Sequence, residues 1–378
     1  MILLLLLWAF SGFCVEVELE LGWAGRPVLG AVNPLWVTIS NPAPSLVSGE
    51  LRLFGRFGSP WRGEASYTLV LPFSVGPFAK TKMLLPWPVQ VGSFFLVATA
   101  FSGDEKVGEK ELRFSPESGP LRAGIGPPIA PLDFFFSPAE LPSDPFLLSP
   151  FSELHLFSPF AVKEDVIRAW RAFLSPEGIR VDAEAFRATL AKLRPPSPLW
   201  WALAPGLFLY LLGLSLALPR LSRGRAALFF SFAGFFLVLS AFYVVYRKGV
   251  VEERAVLVGI EKPGFTWFRL EVLGIVSWRR EGRVVPGWWA EVLPAREWAG
   301  RDLVWRFSEG EWQTALHLEP GVPRILLRLS QEGWKERGET ISPPAWLRQS
   351  FALSWEEAKV VRLFSEEPGM EAYLVRLP

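Results

Sequence analysis

With 378 residues, of which 50% are hydrophobic and 20% charged, the chain is too apolar for an ordinary cytosolic enzyme and too charged to lie in lipid throughout. Its 39 basic and 38 acidic residues leave a formal charge of +1, which excludes a nucleic-acid binder that works by net charge, though not one with a local basic patch. A single cysteine, Cys14, excludes an internal disulfide framework, a zinc–cysteine site and an iron–sulfur cluster. Two histidines, His155 and His317, leave little for a histidine-rich metal centre, so no cofactor or metal is expected.

The chain opens on an uncharged run, Met1 to Phe13, that matches the apolar core of a secretory signal and is shorter than the roughly 20 residues needed to span a bilayer. Residues 1–14 are therefore expected to be a signal peptide or an N-terminal anchor. Cys14 admits a lipidated alternative, but Phe13 occupies the place where a lipidation signal wants a small residue.

Residues 15–115 show a period near two. Val15 to Leu21 alternates apolar and acidic residues, and six similar runs follow, separated by turn chemistry such as Asn41-Pro42-Ala43-Pro44 and Gly58-Ser59-Pro60. Seven short strands in about 100 residues predict an immunoglobulin-like β-sandwich without the paired cysteines of antibody domains. Trp36, Trp61 and Trp87 read as core or strand-edge cover before they read as a sugar-stacking platform.

Residues 116–197 combine a proline-rich stretch with a small α/β unit. Pro116 to Pro150 holds nine prolines, and its Phe134-Phe135-Phe136 run is too aromatic to stay solvated. It is expected to run extended over a domain surface. Glu153 to Phe157 reads as a strand, and Val166, Ile167, Trp170, Phe173 and Leu174 fall at helical spacing. Ile179 to Val181 reads as another strand, and Asp182 can cap a second helix carrying Phe186, Leu190 and Leu193.

Two uncharged runs, 199–218 and 226–246, lie within residues 198–247 and predict a transmembrane hairpin of two helices. Trp200, Trp201, Tyr243 and Tyr246 would sit at the headgroup layer, and the linking Arg220, Arg223 and Arg225 would face the cytoplasm. That layout puts the protein in the inner (cytoplasmic) membrane as a multi-pass protein with both large soluble parts extracytoplasmic.

Residues 248–378 turn β-rich again and predict a second sandwich-like or partly open barrel domain. Trp278, Trp288, Trp289, Trp298, Trp305 and Trp312 crowd this part, interleaved with Arg269, Arg279, Arg280 and Arg283. Core packing with lateral cover is the simpler reading. The functional one is an interaction surface built from Trp278, Arg279, Arg280, Trp288 and Trp289 that holds a glycan or anionic polymer. The sequence-adjacent pairs Glu252-Glu253, Glu356-Glu357 and Glu366-Glu367 would point to opposite faces of a strand, so they are poor acid/base pairs.

Leu154 to Phe157, Trp170-Arg171-Ala172-Phe173, Glu177-Gly178 and Ile179 to Val181 together resemble the degenerate class I glutamine amidotransferase-like domain of bacterial exported membrane proteins. The resemblance extends to Gly25-Arg26-Pro27, to Leu35 to Pro42, to Gly49 to Arg52, and to the Arg-rich hairpin turn. It implies a front sandwich, a two-helix hairpin, a β-rich tail and a role in envelope assembly. Amidotransferase chemistry itself needs a cysteine nucleophile beside a histidine, and the sole cysteine lies in the expected signal. Three readings follow. The first is a non-enzymatic membrane-anchored extracytoplasmic scaffold or interaction protein whose partners are the lipid bilayer and another membrane or envelope protein, not nucleic acid. The second is a glycan- or peptidoglycan-binding membrane protein using Trp and Arg surfaces, and the third a hydrolase with an unrecognised carboxylate site.

Overall fold

The computed structural model describes residues 15–59, 63–128, 131–157, 163–192, 253–264, 266–277, 281–291, 302–331, 334, 337–365 and 369–378, together with Gly234. Strands dominate. In the first part they are β1 (Glu16–Leu21), β2 (Val32–Ser40), β3 (Val47–Ser59), β4 (Gly63–Val75), β5 (Lys80–Pro88), β6 (Phe95–Ser102) and β7 (Glu105–Arg113). They stand where the alternating pattern places them. In β1, Val17 and Leu21 are buried while Glu16, Glu18 and Glu20 face outward, as a strand with one wet face requires. Strands β1, β2 and β5 form one antiparallel sheet, in the order β1-β2-β5, and β4-β3-β6-β7 belong to a second. Leu35, Val37 and Ile39 from the former share a core with Leu51, Leu53, Leu96 and Ala98 from the latter.

The proline-rich stretch folds into a small parallel sheet. Strands β8 (Leu121–Ile125), β9 (Phe134–Phe136) and β10 (Phe151–Leu156) take the order β10-β8-β9. Its aromatic residues pack on Trp23, whose ring centroid lies 4.6 Å from that of Phe136 and 5.3 Å from that of Phe134. The indole Nε1 of Trp23 donates to the Leu147 carbonyl at 2.9 Å. Arg26 grips Glu117 through two hydrogen bonds of 2.5 and 2.9 Å, and this grip holds the Glu117 carboxyl below its usual range. Helix α1 (Glu164–Ala169) continues into a wider turn, Trp170–Leu174.

The next short strand, β11 (Arg180–Val181), leaves this unit and pairs with β20 (Phe351–Ala352) near the far end of the chain. Helix α2 (Ala183–Lys192) follows it. The remaining elements are β12 (Glu253–Glu261), β13 (Arg269–Ser277), β14 (Glu281–Pro286), β15 (Ala290–Glu291), β16 (Leu303–Ser308), β17 (Glu311–Leu318), β18 (Arg324–Ser330), β19 (Gly338–Ile341), α3 (Ala345–Ser350), β21 (Lys359–Leu363) and β22 (Met370–Arg376).

These late strands do not form an independent second sandwich. They divide between two seven-stranded sheets. One runs β15-β18-β13-β12-β22-β21-β19. The other runs β14-β17-β16-β4-β3-β6-β7, so three late strands complete a sheet begun by the first part of the chain. The join is parallel, with Leu303 opposite Tyr67 and Arg306 opposite Val70. A parallel pair cannot be joined by a tight turn and requires a long crossover, which the intervening chain supplies here.

All nine residues of β13 are buried, because both faces of its sheet are covered. Leu273 and Ile275 join the core shared with the first sheet, while Leu270, Val272 and Val276 pack under α2 and α3 with Phe186, Leu190 and Leu347. Gly274 permits this approach. A Cβ there would lie 2.7 Å from Leu190 and 2.8 Å from Phe186.

The two-helix hairpin is corrected by this structure. The three described α-helices have six, ten and six residues. At 1.5 Å per residue the longest spans about 15 Å, half of the roughly 30 Å hydrocarbon layer. No helix among the described residues is long and apolar enough to cross a membrane. The segments 199–218 and 226–246, with Arg220, Arg223, Arg225, Trp200, Trp201, Tyr243 and Tyr246, lie outside the described residues, as do residues 1–14. The multi-pass inner-membrane placement rested on that hairpin and is set aside with it. What stands is a mainly β chain whose early and late strands interlock.

Candidate functional site

Beside the end of β12, the start of β13 and the end of β18, in the sheet β15-β18-β13-β12-β22-β21-β19, two adjoining clefts form a groove. One end is a cleft of about 650 Å³, lined among others by Asp144, Phe146, Trp288, Glu311, Trp312 and Arg328. The other end is a cleft of about 520 Å³, lined by Glu261, Thr266, Trp267, Arg269 and Arg376 among others. Phe268 and Gln331 belong to both. The walls therefore come from stretches far apart in sequence: the turn between β9 and β10, the β12–β13 connection, the end of β14, the start of β17, the end of β18 and Arg376 on β22.

Period-two geometry places the charged groups of the floor. Arg269 and Glu271 on β13 alternate with Leu270 and Val272, so they point away from the helices and toward the first sheet. Glu271 is fully buried and accepts hydrogen bonds from Arg328 Nε at 2.6 Å and from Trp334 Nε1 at 2.9 Å. Glu261 receives Arg376 at 2.5 Å and Arg269 at 2.9 Å. Burial works against its ionised form, but the hydrogen bonds and charges of these two guanidiniums outweigh it and hold the carboxyl below its usual range. Arg269 lies 4.8 Å from the Trp334 ring centroid, and Arg328 lies 4.6 Å from that of Trp289. Gly287, at φ +92°, is required here twice over: the backbone turn is left-handed, and a Cβ would run into the Arg328 guanidinium.

At the end of β18 away from the groove sits a buried ion pair. Arg324 Nε meets Glu291 Oε1 at 2.5 Å and Nη2 meets Oε2 at 2.8 Å, with the two side chains 2% and 0% exposed. Arg324 Nη1 also donates to the His317 carbonyl at 2.9 Å, which ties β18 of one sheet to β17 of the other.

Of the tryptophans singled out by sequence, Trp289 is core: it is buried, and its Nε1 donates to the Pro286 carbonyl at 2.8 Å. Trp288 is half-buried on the groove wall. It stacks on Trp305 at 5.6 Å with 20° between planes, and meets Phe146 edge-on at 5.8 Å. Trp305 is fully buried and Trp87 nearly so, so these described indoles do not make an exposed coplanar platform. Trp278, Arg279, Arg280, Trp61 and Trp298 lie outside the described residues. His155 is exposed, 3.0 Å from Glu153 and stacked on Phe157. Sequence reasoning missed Trp267, which is 81% exposed at the groove lip. It also missed Asp144, whose signal was an Asp-Pro pair able to open a turn.

Asp144 caps the short turn Pro145–Leu148 by accepting the Phe146 N–H at 2.9 Å. Burial pushes its carboxyl above the usual range, partly offset by that hydrogen bond. The folded state therefore holds its proton to higher pH than the unfolded chain does. Its contribution to stability is greatest below the ordinary aspartate value and falls as pH rises toward the raised one. Asn keeps the capping acceptor without the charge. Asp144→Asn is thus expected to melt higher than the native chain at neutral pH, with the difference vanishing below about pH 3.9. Melting curves across pH check this, and an Asn variant that melts lower at neutral pH would refute the burial argument.

No family model matches the chain, and no curated protein does. Among solved structures, a cycloisomaltooligosaccharide glucanotransferase from Paenibacillus sp., complexed with cycloisomaltoheptaose, aligns at 13% identity over 38% of this chain and 20% of that one, with a TM-score of 0.21. The alkylpurine DNA glycosylase AlkC of Pseudomonas fluorescens, bound to DNA containing an abasic site analog, aligns at 18% identity over 29% of this chain and 33% of that one, also at 0.21. Similarity at that score carries no argument about fold or activity. The resemblance to amidotransferase-like envelope proteins remains an expectation.

Proposed function

We propose that the chain is a non-enzymatic scaffold and interaction protein that holds its partner along the groove. The observation that supports this is the groove's construction. Distant stretches of chain meet to line it, and the ion pairs of Glu261 and Glu271 hold its arginines in one arrangement before anything binds. Preorganisation of this kind reduces the entropy lost on binding.

A hydrolase is less favoured, although Asp144 and Glu311 line the same cleft. The Asp144 carboxyl is committed to capping its turn, and Glu261 is held by two arginines. An acid/base pair needs carboxyls free to exchange protons with a substrate.

Gln331→Trp fills the junction of the two clefts from an exposed position. Affinity isolation with the full chain should recover a reproducible partner or ligand that this variant loses. Equal recovery by both proteins, or none by the native chain, would sink the reading.

A further inference from the structure

The chemistry of the groove narrows what it takes. Its lining carries three arginines, Arg269, Arg328 and Arg376, and three carboxyl groups, Asp144, Glu261 and Glu311. Each arginine already has a carboxylate partner, in Glu261 or in the buried Glu271. A polyanion would therefore find no unpaired cation here. A wholly apolar ligand would have to strip water from the partly exposed Arg376–Glu261 pair, at a cost its own contacts do not return.

Between these groups stand hydroxyl and amide side chains, Thr266, Ser143, Ser330 and Gln331, and flat apolar faces at both ends. Trp267 is 81% exposed at one end, while Trp288 and Trp312 line the other. A ligand that fits must be neutral, must donate and accept hydrogen bonds at close intervals, and must offer apolar faces to indole rings. Pyranose rings meet all three conditions: vicinal hydroxyls can bridge a guanidinium and its carboxylate, and axial C–H faces stack on tryptophan.

The floor is a sheet face lined with side chains, so an extended peptide would not gain from it the backbone ladder that a strand edge provides. Each cleft falls within the ~300–1,000 Å³ of a small-molecule site. Joined through Phe268 and Gln331, they suit a chain of several units.

We infer that the groove binds a neutral oligosaccharide, with Trp267 stacking a sugar ring at one end and Trp288 and Trp312 flanking one at the other. This rests on the groove being the interaction site.

Calorimetric titration of the full chain with cello-, chito-, malto- and xylo-oligosaccharides of increasing length tests it. At least one series should bind, with affinity that rises with length and then levels off. Binding should change little between about 50 and 200 mM salt, since no counterions are released. Trp267→Ala should weaken it by roughly tenfold, the upper range for losing one aromatic stacking contact, with an unchanged melting temperature because the ring is exposed. Phe364→Ala, exposed and outside the groove, should bind normally. The inference is overturned if no series binds, if only peptides or acidic polymers bind, or if Trp267→Ala binds as the native chain does. Should Gln331→Trp lose a captured partner while no oligosaccharide binds, the ligand class is wrong and the groove stands. Should both experiments be blank, both readings fall.

Discussion

Glu291→Gln is expected to destabilise the protein by about 3–5 kcal/mol, the cost of leaving a buried charge without its partner. Arg324 is 2% exposed and Glu291 fully enclosed at the side chain, so water cannot replace the lost carboxylate. The same residue bridges β18 to the His317 carbonyl on β17, so its disorder would loosen the contact between the two seven-stranded sheets. A urea titration with unchanged slope and a lowered midpoint measures the loss. The double variant Glu291→Leu with Arg324→Met removes both charges and should be less destabilised than either single change. A Glu291→Gln protein within about 1 kcal/mol of native, the range of an exposed ion pair, would show that this pair is hydrated in solution.

Trp305→Ala should cost a similar amount, about 3–5 kcal/mol for a large aromatic removed from a core. The ring is fully buried between Tyr67 and Trp87 of the early strands and Trp288 of the late ones, with centroids 5.1, 6.3 and 5.6 Å away. Its Nε1 donates to the Trp289 carbonyl at 2.8 Å, and truncation leaves that acceptor without its donor. Because β16 lies beside β4, the cavity would open where the two ends of the chain meet. Native and variant proteins should therefore each unfold in one transition, seen alike by near-UV and far-UV circular dichroism. Two separated transitions, with only the later one shifted by Trp305→Ala, would mean that the early strands fold without the late hairpin.

The two substitutions also separate what could be read in advance from what could not. The positions of β1–β7 were legible because a half-buried strand must alternate, and Val17 and Leu21 against Glu16, Glu18 and Glu20 do so. The helical spacing of Val166, Ile167, Trp170 and Phe173 was legible for the same kind of reason, since helix period and burial coincide there. Glu291 and Arg324 gave no such sign. They stand 33 positions apart, in runs that read as ordinary strand, and nothing local marks a charge that will be buried. Trp267 reads in sequence like any other tryptophan of the crowded late segment, yet it alone of the described indoles is among the strongly exposed apolar side chains.

By itself, then, the sequence determined that the chain is mainly β, where most strands run and which faces turn inward. Those follow from period and turn chemistry, which are local. Only the tertiary structure decided that strands from the two ends share one sheet, that β11 pairs with β20, and that widely separated stretches line a groove. Strand pairing is made by backbone hydrogen bonds that every residue but proline can offer, so alternation says that a strand exists without naming its neighbour. The neighbour is chosen by complementary faces across the whole core, and here that choice also made the candidate site.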